Sequence, residues 1–476
     1  DAVVGNPPWG TDFDGHEKAF LPEVFTSYKY KYESYIFFME LAHQLSNDSA
    51  GYSYITPSSW LAIDQGEPIR RLLSSMTRIE CLVLLPQRVF PEVALDTMLF
   101  VSRKEFDPEH EIRVIEFPKE VPISVVSVDL TKTIERRIRQ SRFDTNENTV
   151  FDVSVSDEEA AILSKIEALS TTVGNLEEVE VAQGVVPYDK YRGHTPEQIE
   201  NRIWHSDHKV DESYVREIAG KDVSRYDHDW NGQRWISYGN WLAAPRKKKY
   251  FWEKRIVFQS TRNPALSIRL SGTYLDEIFV HDPGLTLVYS KKKDLLLYLL
   301  ALANSSTFNW WYLKRNTDTL HIYPSHIRRL PIRRIDFTTS SDRRAALVDQ
   351  GRDLYARSLS EGPAAVLAFT AERLEQNETD VIHDLLAFLA QQMIDLNKQK
   401  QAEVRRFLGW LEARLEIRPN RQGKTGIDSL TGKTIIQGYL GDYQKGERET
   451  AFEDFYFRLH QNRTRFGVPL AGIKAE

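Results

Sequence analysis

The chain has 476 residues, 41% of them hydrophobic, which is enough for several cores and about three domains of ordinary size. Its single cysteine excludes a disulfide framework and a multi-cysteine zinc site and fits a reducing cytoplasm; no apolar run reaches membrane-spanning length, and nothing reads as a signal peptide. A net charge of −6 means that any nucleic-acid surface has to be local rather than a property of the whole chain.

The first ten residues are Asp1-Ala2-Val3-Val4-Gly5-Asn6-Pro7-Pro8-Trp9-Gly10. Ala2-Val3-Val4 reads as the end of a buried strand, and Gly5 opens a turn. The two prolines then stiffen an extended loop, because each fixes φ and biases its predecessor away from helix. Such a loop holds an amide, a free carbonyl and an aromatic face at the carboxyl edge of a sheet, where open α/β sheets bind ligands. The stretch resembles the catalytic Asn-Pro-Pro-aromatic motif of amino-group methyltransferases that use S-adenosylmethionine, above all the adenine-specific DNA methyltransferases. The resemblance implies that Asn6 and the Pro7 carbonyl accept the two hydrogens of the adenine amine, localising its lone pair toward the methyl donor. The base must be flipped out of the duplex at roughly a few kcal/mol, and Trp9 would stack on it for roughly 1–3 kcal/mol. The chain begins in mid-strand, without Met and without a glycine-rich turn before the motif. It therefore reads as the carboxyl-terminal part of a larger protein, with most of the S-adenosylmethionine pocket upstream and the isolated chain inactive.

Residues 11–33, polar and aromatic, read as a loop beside the active site. Tyr35 to Leu45 has helical spacing, Tyr52 to Thr56 reads as a strand ended by Pro57, and a helix is expected from about Glu67 to Ser75. Strands follow at Arg78 to Leu85 and Asp96 to Ser102, with Arg88-Val89-Phe90-Pro91-Glu92 as the loop between them. This order resembles the second half of a doubly wound methyltransferase sheet, whose last strands form an antiparallel pair. In that family a phenylalanine in a Val-Phe-Pro context contacts the flipped adenine, and Phe90 is the matching residue. Cys81 lies in a strand-like run and reads as a small buried hydrophobe, which disfavours ring-carbon methylation through a thiolate. A strand is expected at Ile112 to Phe117 and a helix from about Thr131 to Gln140. Ser156-Asp157-Glu158-Glu159 opens a capped amphipathic helix running to Ser170.

From about Leu176 the character changes. Val179 to Pro187 and Tyr214 to Val223 resemble successive segments of the specificity domains of restriction-modification enzymes. Short strands are read at Trp235 to Tyr238, Arg255 to Gln259 and Tyr274 to Val280, a helix at Leu295 to Asn304, and a Leu330-Pro331-Ile332 ending. Pro245 to Arg334 holds 17 Lys and Arg against 6 Asp and Glu, the electrostatic footprint of a DNA surface. Arg246, Lys247, Lys248, Lys249, Arg262, Lys314 and Arg315 are its candidate DNA-binding residues. His194, His205, Asp207, His208, His281 and Asp282 lack metal-ligand spacing, and no metal is assigned. Residues 340–418 read as helices, with one apolar stripe of Ile382, Leu385, Leu389, Met393 and Leu396 and another of Val404, Phe407, Leu408, Leu411 and Leu415. Gly423 to Gly446 reads as loop, and Thr450 to Leu459 as a last helix.

The expected fold class is α/β: the carboxyl-terminal half of a doubly wound S-adenosylmethionine-dependent methyltransferase sheet, then an α+β specificity domain and a helical end. The domains are read as 1–150, catalytic; 151–175, a connecting helix; 176–335, target recognition; and 340–476, a helical spacer. The resemblance implies an adenine-specific methyltransferase of a type IIG-like restriction-modification or phage-defence system. Its cofactor is S-adenosylmethionine and its substrate double-stranded DNA. It implies no membrane, and association with the missing amino-terminal part or a nuclease domain or subunit. The rival readings are a non-catalytic DNA-recognition fragment, or methylation of protein glutamine or RNA.

Overall fold

The computed structural model describes residues 2–85, 96–107, 109–117, 133–263, 266–316, 321–440 and 450–470. The chain divides into two compact units, residues 1–165 and 166–476.

The first unit is a mixed α/β layer. In chain order it comprises β1 (Ala2–Gly5), α1 (Gly15–Val24), α2 (Ser34–Leu45), β2 (Gly51–Pro57), α3 (Glu67–Met76), β3 (Arg78–Leu84), β4 (Thr97–Arg103), β5 (Glu111–Glu116), β6 (Ile134–Arg139) and α4 (Asp157–Ala168), the last reaching the boundary. The six strands form one sheet in the order β1-β2-β4-β3-β5-β6. The β1–β2 and β3–β5 pairs are parallel, and the other three are antiparallel. Alternation in β2 buries Tyr52, Tyr54 and Thr56. Their rings join Trp60, Phe100, Leu82, Ile69 and Leu73 in one core. Arg70, on the buried face of α3, pairs with no carboxylate among the described residues: it donates to the carbonyls of Trp60 (2.6 Å), Ile63 (2.8 Å), Asn148 (2.9 Å) and Thr149 (3.0 Å). Burial pulls its pKa down to about 10.

Four expectations for this unit are corrected. β1 is not a buried strand: it has one neighbour, and Val4 is 79% exposed. Residues 11–33 hold a helix, α1, closed by a capping box between Asp14 and Glu17. Pro22 sits inside it and has no N–H for the Lys18 carbonyl; the Tyr32 hydroxyl donates there instead, at 2.9 Å. The segment expected to be helical at Thr131 to Gln140 contains strand β6. Cross-strand pairs decide the conformation: Glu135 holds Arg113 at 2.8 Å, and Arg136 holds Glu116 at 2.7 Å. Cys81 is half-buried rather than buried.

α4 keeps its expected start. The Glu159 N–H donates to Ser156 Oγ (3.2 Å), and the Ser156 N–H donates to the Glu159 carboxylate (3.0 Å).

The second unit opens with β7 (Ser170–Thr172), β8 (Glu180–Gln183), α5 (Pro196–Glu200), β9 (His205–Ser206), β10 (Tyr214–Arg216), β11 (Val223–Ser224), β12 (Asp227–His228) and β13 (Trp235–Ser237). α6 (Lys249–Trp252), β14 (Arg255–Gln259), β15 (Gly272–Leu275), β16 (Leu285–Tyr289), α7 (Lys293–Ala303), α8 (Ser306–Arg315), α9 (Pro324–Arg328) and β17 (Pro331–Arg333) complete its sheet-bearing half. A four-stranded antiparallel sheet, β15-β14-β16-β8, carries the core; β14, β15 and β16 are buried along their whole length. β16 was not foreseen, and β15 is shorter and earlier than the expected Tyr274–Val280 run. A three-stranded sheet, β10-β13-β9, lies in the same half, and β17 pairs with β7.

The helical end holds α10 (Ser341–Glu361), α11 (Ala364–Glu375), α12 (Thr379–Leu415), α13 (Lys433–Gln437) and α14 (Phe452–Gln461). α12 is one continuous helix, and its first stripe is out of phase with expectation. Val381, Leu385, Ala390 and Ile394 are buried, whereas Met393 and Leu396 are exposed, because α7, α10 and α11 cover other parts of its surface. Its second stripe holds: Leu411 and Leu415 pack with Ile427, Leu430, Ile436, Phe455 and Leu459. Residues 423–440, expected to be loop, contain α13. No described helix is long and apolar enough to cross a membrane.

Candidate active site and nucleic-acid interface

The Asn-Pro-Pro-Trp loop leaves the carboxyl end of β1. Gly5 lies over the Tyr54 ring, which would stand 3.1 Å from a Cβ there, so a side chain at this position would have to push the ring aside by a few tenths of an ångström. Asn6 is exposed, Pro7 buried, and Trp9 half-buried against the core of the first unit. Trp9 therefore anchors the loop, whatever else its ring does. Ser34, at the start of α2, donates to the Pro8 carbonyl at 2.6 Å. Gly10 closes the loop with φ +67°. Among the described residues nothing donates to the Pro7 carbonyl. An exposed Asn6 thus precedes a buried Pro7 on a loop that leaves β1 at one end and is held by Ser34 at Pro8.

The segment after α1 is tied to this edge by residues that the sequence reading missed. Glu40 is buried, and its carboxylate accepts the Thr26 N–H (3.0 Å), the Thr26 hydroxyl (2.8 Å) and the Ser27 N–H (2.7 Å). Burial opposes ionisation, but these hydrogen bonds from Ser27 and Thr26 outweigh it and hold the carboxyl below the usual range. Lys29 bridges Asp64 (2.8 Å) and Glu67 (2.7 Å), and the Tyr30 hydroxyl donates to Asp64 (2.7 Å). A sequence signal existed for α1, the Asp-x-x-Glu box; none existed for Glu40, whose partners lie fourteen residues back. The Tyr35 hydroxyl, 3.5 Å from Ser59 Oγ, is pushed up to about 12 by burial and stays neutral. Burial also raises the Cys81 thiol, so it is no activated thiolate. Phe90 lies outside the described residues.

The basic residues of the second unit do not form one patch. Arg246, Lys247 and Lys248 are exposed. Arg246 adopts φ +63° and donates to the Gly184 carbonyl at 3.1 Å. Glu180 receives Lys249, Lys247 (3.0 Å) and the Tyr250 hydroxyl (2.7 Å). Lys249 and Tyr250 first, then Lys247, lower this carboxyl to about 2 against the cost of burial. Lys248 forms no ion pair among the described residues and rests 4.9 Å from the Trp252 ring centre. Arg262 is a correction: it is 5% exposed and donates inward to the Ile268 carbonyl (3.1 Å) and to Gln259, so it is no surface cation. Arg255 and Arg269 are buried too. Arg315 is half-buried and forms a two-pronged pair with Glu167 at 2.8 and 2.7 Å, with Trp311 Nε1 on the same carboxylate. Lys314, beside it, is half-buried.

The histidines have structural partners. His205 lies in β9 between the Tyr188 hydroxyl (2.8 Å) and Glu217 (3.2 Å), and His281 is fully buried against Phe251. Among the described residues no three His, Cys, Asp or Glu side chains converge.

Two stretches of the chain, one in each unit, match families of restriction-modification proteins. Residues 1–90 match the Eco57I restriction-modification methylase family, and residues 215–332 match the TaqI-like C-terminal specificity domain. The chain thus resembles a methylase over its first stretch and a specificity domain over the later one. It is similar to the type II restriction enzyme and methyltransferase RM.Eco57I of Escherichia coli, with 26% identity over 216 residues, 42% of this chain and 20% of that enzyme. The matched stretch spans about a fifth of that relative's length. Among solved structures it is similar to the type IIG restriction endonuclease BpuSI (15% identity, 71% of this chain and 47% of that one, TM-score 0.32). It is also similar to the type IIL restriction-modification enzyme MmeI in complex with DNA (12% identity, 83% and 57%, TM-score 0.44).

Proposed function

We propose that this chain supplies the amine-orienting and target-reading parts of a site-specific DNA methyltransferase in a restriction-modification or phage-defence system. Its substrate is an adenine flipped from duplex DNA, and the methyl group goes to the exocyclic nitrogen. Asn6 carries this reading: an exposed side-chain amide on a loop anchored by Pro7, Trp9 and Ser34, within the stretch that matches the methylase family.

The adenine amine is a weak nucleophile because its lone pair is delocalised into the ring. Asn6 Oδ1 and the Pro7 carbonyl each accept one N–H, which draws the nitrogen toward tetrahedral geometry and turns its lone pair outward. Positioning and hydrogen bonding of this kind need no nucleophilic side chain. The methyl group itself comes from S-adenosylmethionine. At this edge the described residues offer acceptors and an aromatic wall, which fit the amine, but no glycine-rich turn and no free carboxylate for a ribose. They do not make a site for the cofactor. Phe90 belongs to the proposal as a second contact to the base. Arg246, Lys247 and Lys248 are proposed to meet DNA phosphates, while Lys314 and the Glu167-paired Arg315 hold a subordinate place. A nuclease domain or subunit acting with the methylase, and a cytoplasmic location, belong to the same reading.

The test uses the natural protein, S-adenosylmethionine with a labelled methyl group, and duplex DNA, with the product nucleosides separated. Asn6→Ala is expected to abolish labelled N6-methyladenine while leaving duplex affinity near wild type, since affinity comes mainly from phosphate contacts. Because Asn6 is exposed, loss of fold does not confound the result. A normal methylation rate in Asn6→Ala would refute the assignment, and label found in protein or RNA instead of DNA would favour the rival substrates.

A further inference from the structure

Between Pro187 and α5 the chain reads Tyr188-Asp189-Lys190-Tyr191-Arg192-Gly193-His194, an aromatic residue between two cations. The turn is built and clamped. The Asp189 carboxylate accepts the Tyr191 N–H at 2.8 Å, and Gly193 ends the turn at φ +94°. On one shoulder the Tyr188 hydroxyl accepts the Trp204 N–H at 2.9 Å and bonds His205 at 2.8 Å. On the other, His194 Nδ1 accepts the Asp189 N–H (3.1 Å), which leaves Nε2 to donate to the Trp241 carbonyl (2.9 Å). Arg192 donates to the Ala243 carbonyl (3.0 Å). With every neighbour fixed, Tyr191 is 86% exposed, and the Lys190 ammonium lies 4.8 Å from its ring centre.

The clamp joins two distant stretches. Val186 and Ala244 exchange backbone hydrogen bonds of 3.0 and 2.9 Å in an antiparallel bridge, so residues 241–243 lie beside the turn, while Arg246 and Lys247 run the other way to Gly184 and Glu180. Lys190, Tyr191 and Arg192 thus share an edge with the 41% exposed Trp241. The one carboxylate in the turn, Asp189, is consumed by the cap. The edge therefore offers cations and aromatic rings, a combination suited to a polyanion with flat bases.

We propose that this edge contacts duplex DNA and that Tyr191 is a wedge, its ring entering the base stack while Lys190 and Arg192 meet the backbone on either side. The proposal rests on the DNA-directed reading above. A ring carried on a clamped turn needs little backbone ordering on insertion, so its stacking is available to offset the unstacking of the bases.

The probe is a duplex enriched from a random pool by the wild-type chain, carrying 2-aminopurine at successive positions. Tyr191→Ala is expected to weaken binding about 5- to 150-fold and remove one position's 2-aminopurine signal, with the salt dependence unchanged because no charge is lost. Tyr191→Phe should keep both signals. Lys190→Gln should do the reverse of Tyr191→Ala, flattening the slope of log affinity against log salt by about 0.9 while leaving the 2-aminopurine signal. Since Tyr191 and Lys190 are exposed, thermal melting should match wild type. A wild-type chain that enriches duplex, paired with a Tyr191→Ala that binds and fluoresces like it, overturns the wedge alone. A wild-type chain that enriches no duplex, or prefers duplex RNA, overturns the wedge together with the DNA reading.

Discussion

Arg70→Met is the sharpest test of what holds the first unit together. The arginine is fully buried and donates to four carbonyls from two separate segments, residues 60–63 and 148–149. Methionine preserves much of the volume but removes every donor, leaving those carbonyls buried without this partner. At about 1.5–3 kcal/mol for each hydrogen bond to a charged group, four bonds total about 6–12 kcal/mol. Against this, burying an unpaired guanidinium costs several kcal/mol, which the substitution recovers. By difference the net loss is about 3–5 kcal/mol. For a unit of residues 1–165, each kcal/mol corresponds to about 2–4 °C, so the melting point should fall by about 6–20 °C. Trp60 sits at the site, with its indole N–H on Thr56 Oγ1 at 3.0 Å, and hydrogen exchange of the amides of β2 and α3 reports this unit separately during urea unfolding. A midpoint for Arg70→Met within about 0.5 kcal/mol of wild type would refute the reasoning. Gly66→Ala should act through the same site, since a Cβ there would stand 2.6 Å from the Trp60 carbonyl and 2.7 Å from Arg70 Nη1.

Two further predictions concern acid. Burial holds His281 down to about 3, whereas the unfolded chain takes up that proton near pH 6.5. The unfolded state then binds more protons between these values, so stability falls as pH drops from 6.5 toward 3, by up to about 1.4 kcal/mol per unit. His281→Phe should flatten the urea midpoint between pH 7 and 5; an unchanged pH profile would exclude His281 as the source. Glu180 ionises at about 2 when folded against 4.5 ordinarily, so its contribution is present above 4.5 and lost as pH falls toward 2. Glu180→Gln should lessen that acid loss and, by releasing Lys247, steepen the salt dependence of duplex binding; a slope equal to wild type would show that the released cation faces no phosphate.

The sequence by itself determined the local features. Asn6-Pro7-Pro8-Trp9 could form only an extended loop, because two consecutive prolines fix the backbone whatever surrounds them. Ser156 and Glu159 specified the start of α4, and alternation through Tyr52, Tyr54 and Thr56 specified a half-buried strand, because those interactions span at most a few residues. Tertiary structure decided the fate of the charges. Arg255, Arg262 and Arg269 look in sequence like Lys248, yet they are buried, and Lys247 and Lys249 spend their charge on Glu180, 67 and 69 residues away. The same holds for β6, which became a strand because Arg113 and Glu116 were there to pair with it, and for α12, whose buried stripe was set by three neighbouring helices. Tyr191 carried no signal of its own. What singles it out is a clamp assembled from Tyr188, Trp204, His205, Trp241 and Ala243, and a basic edge takes shape only when the chain brings such distant residues together.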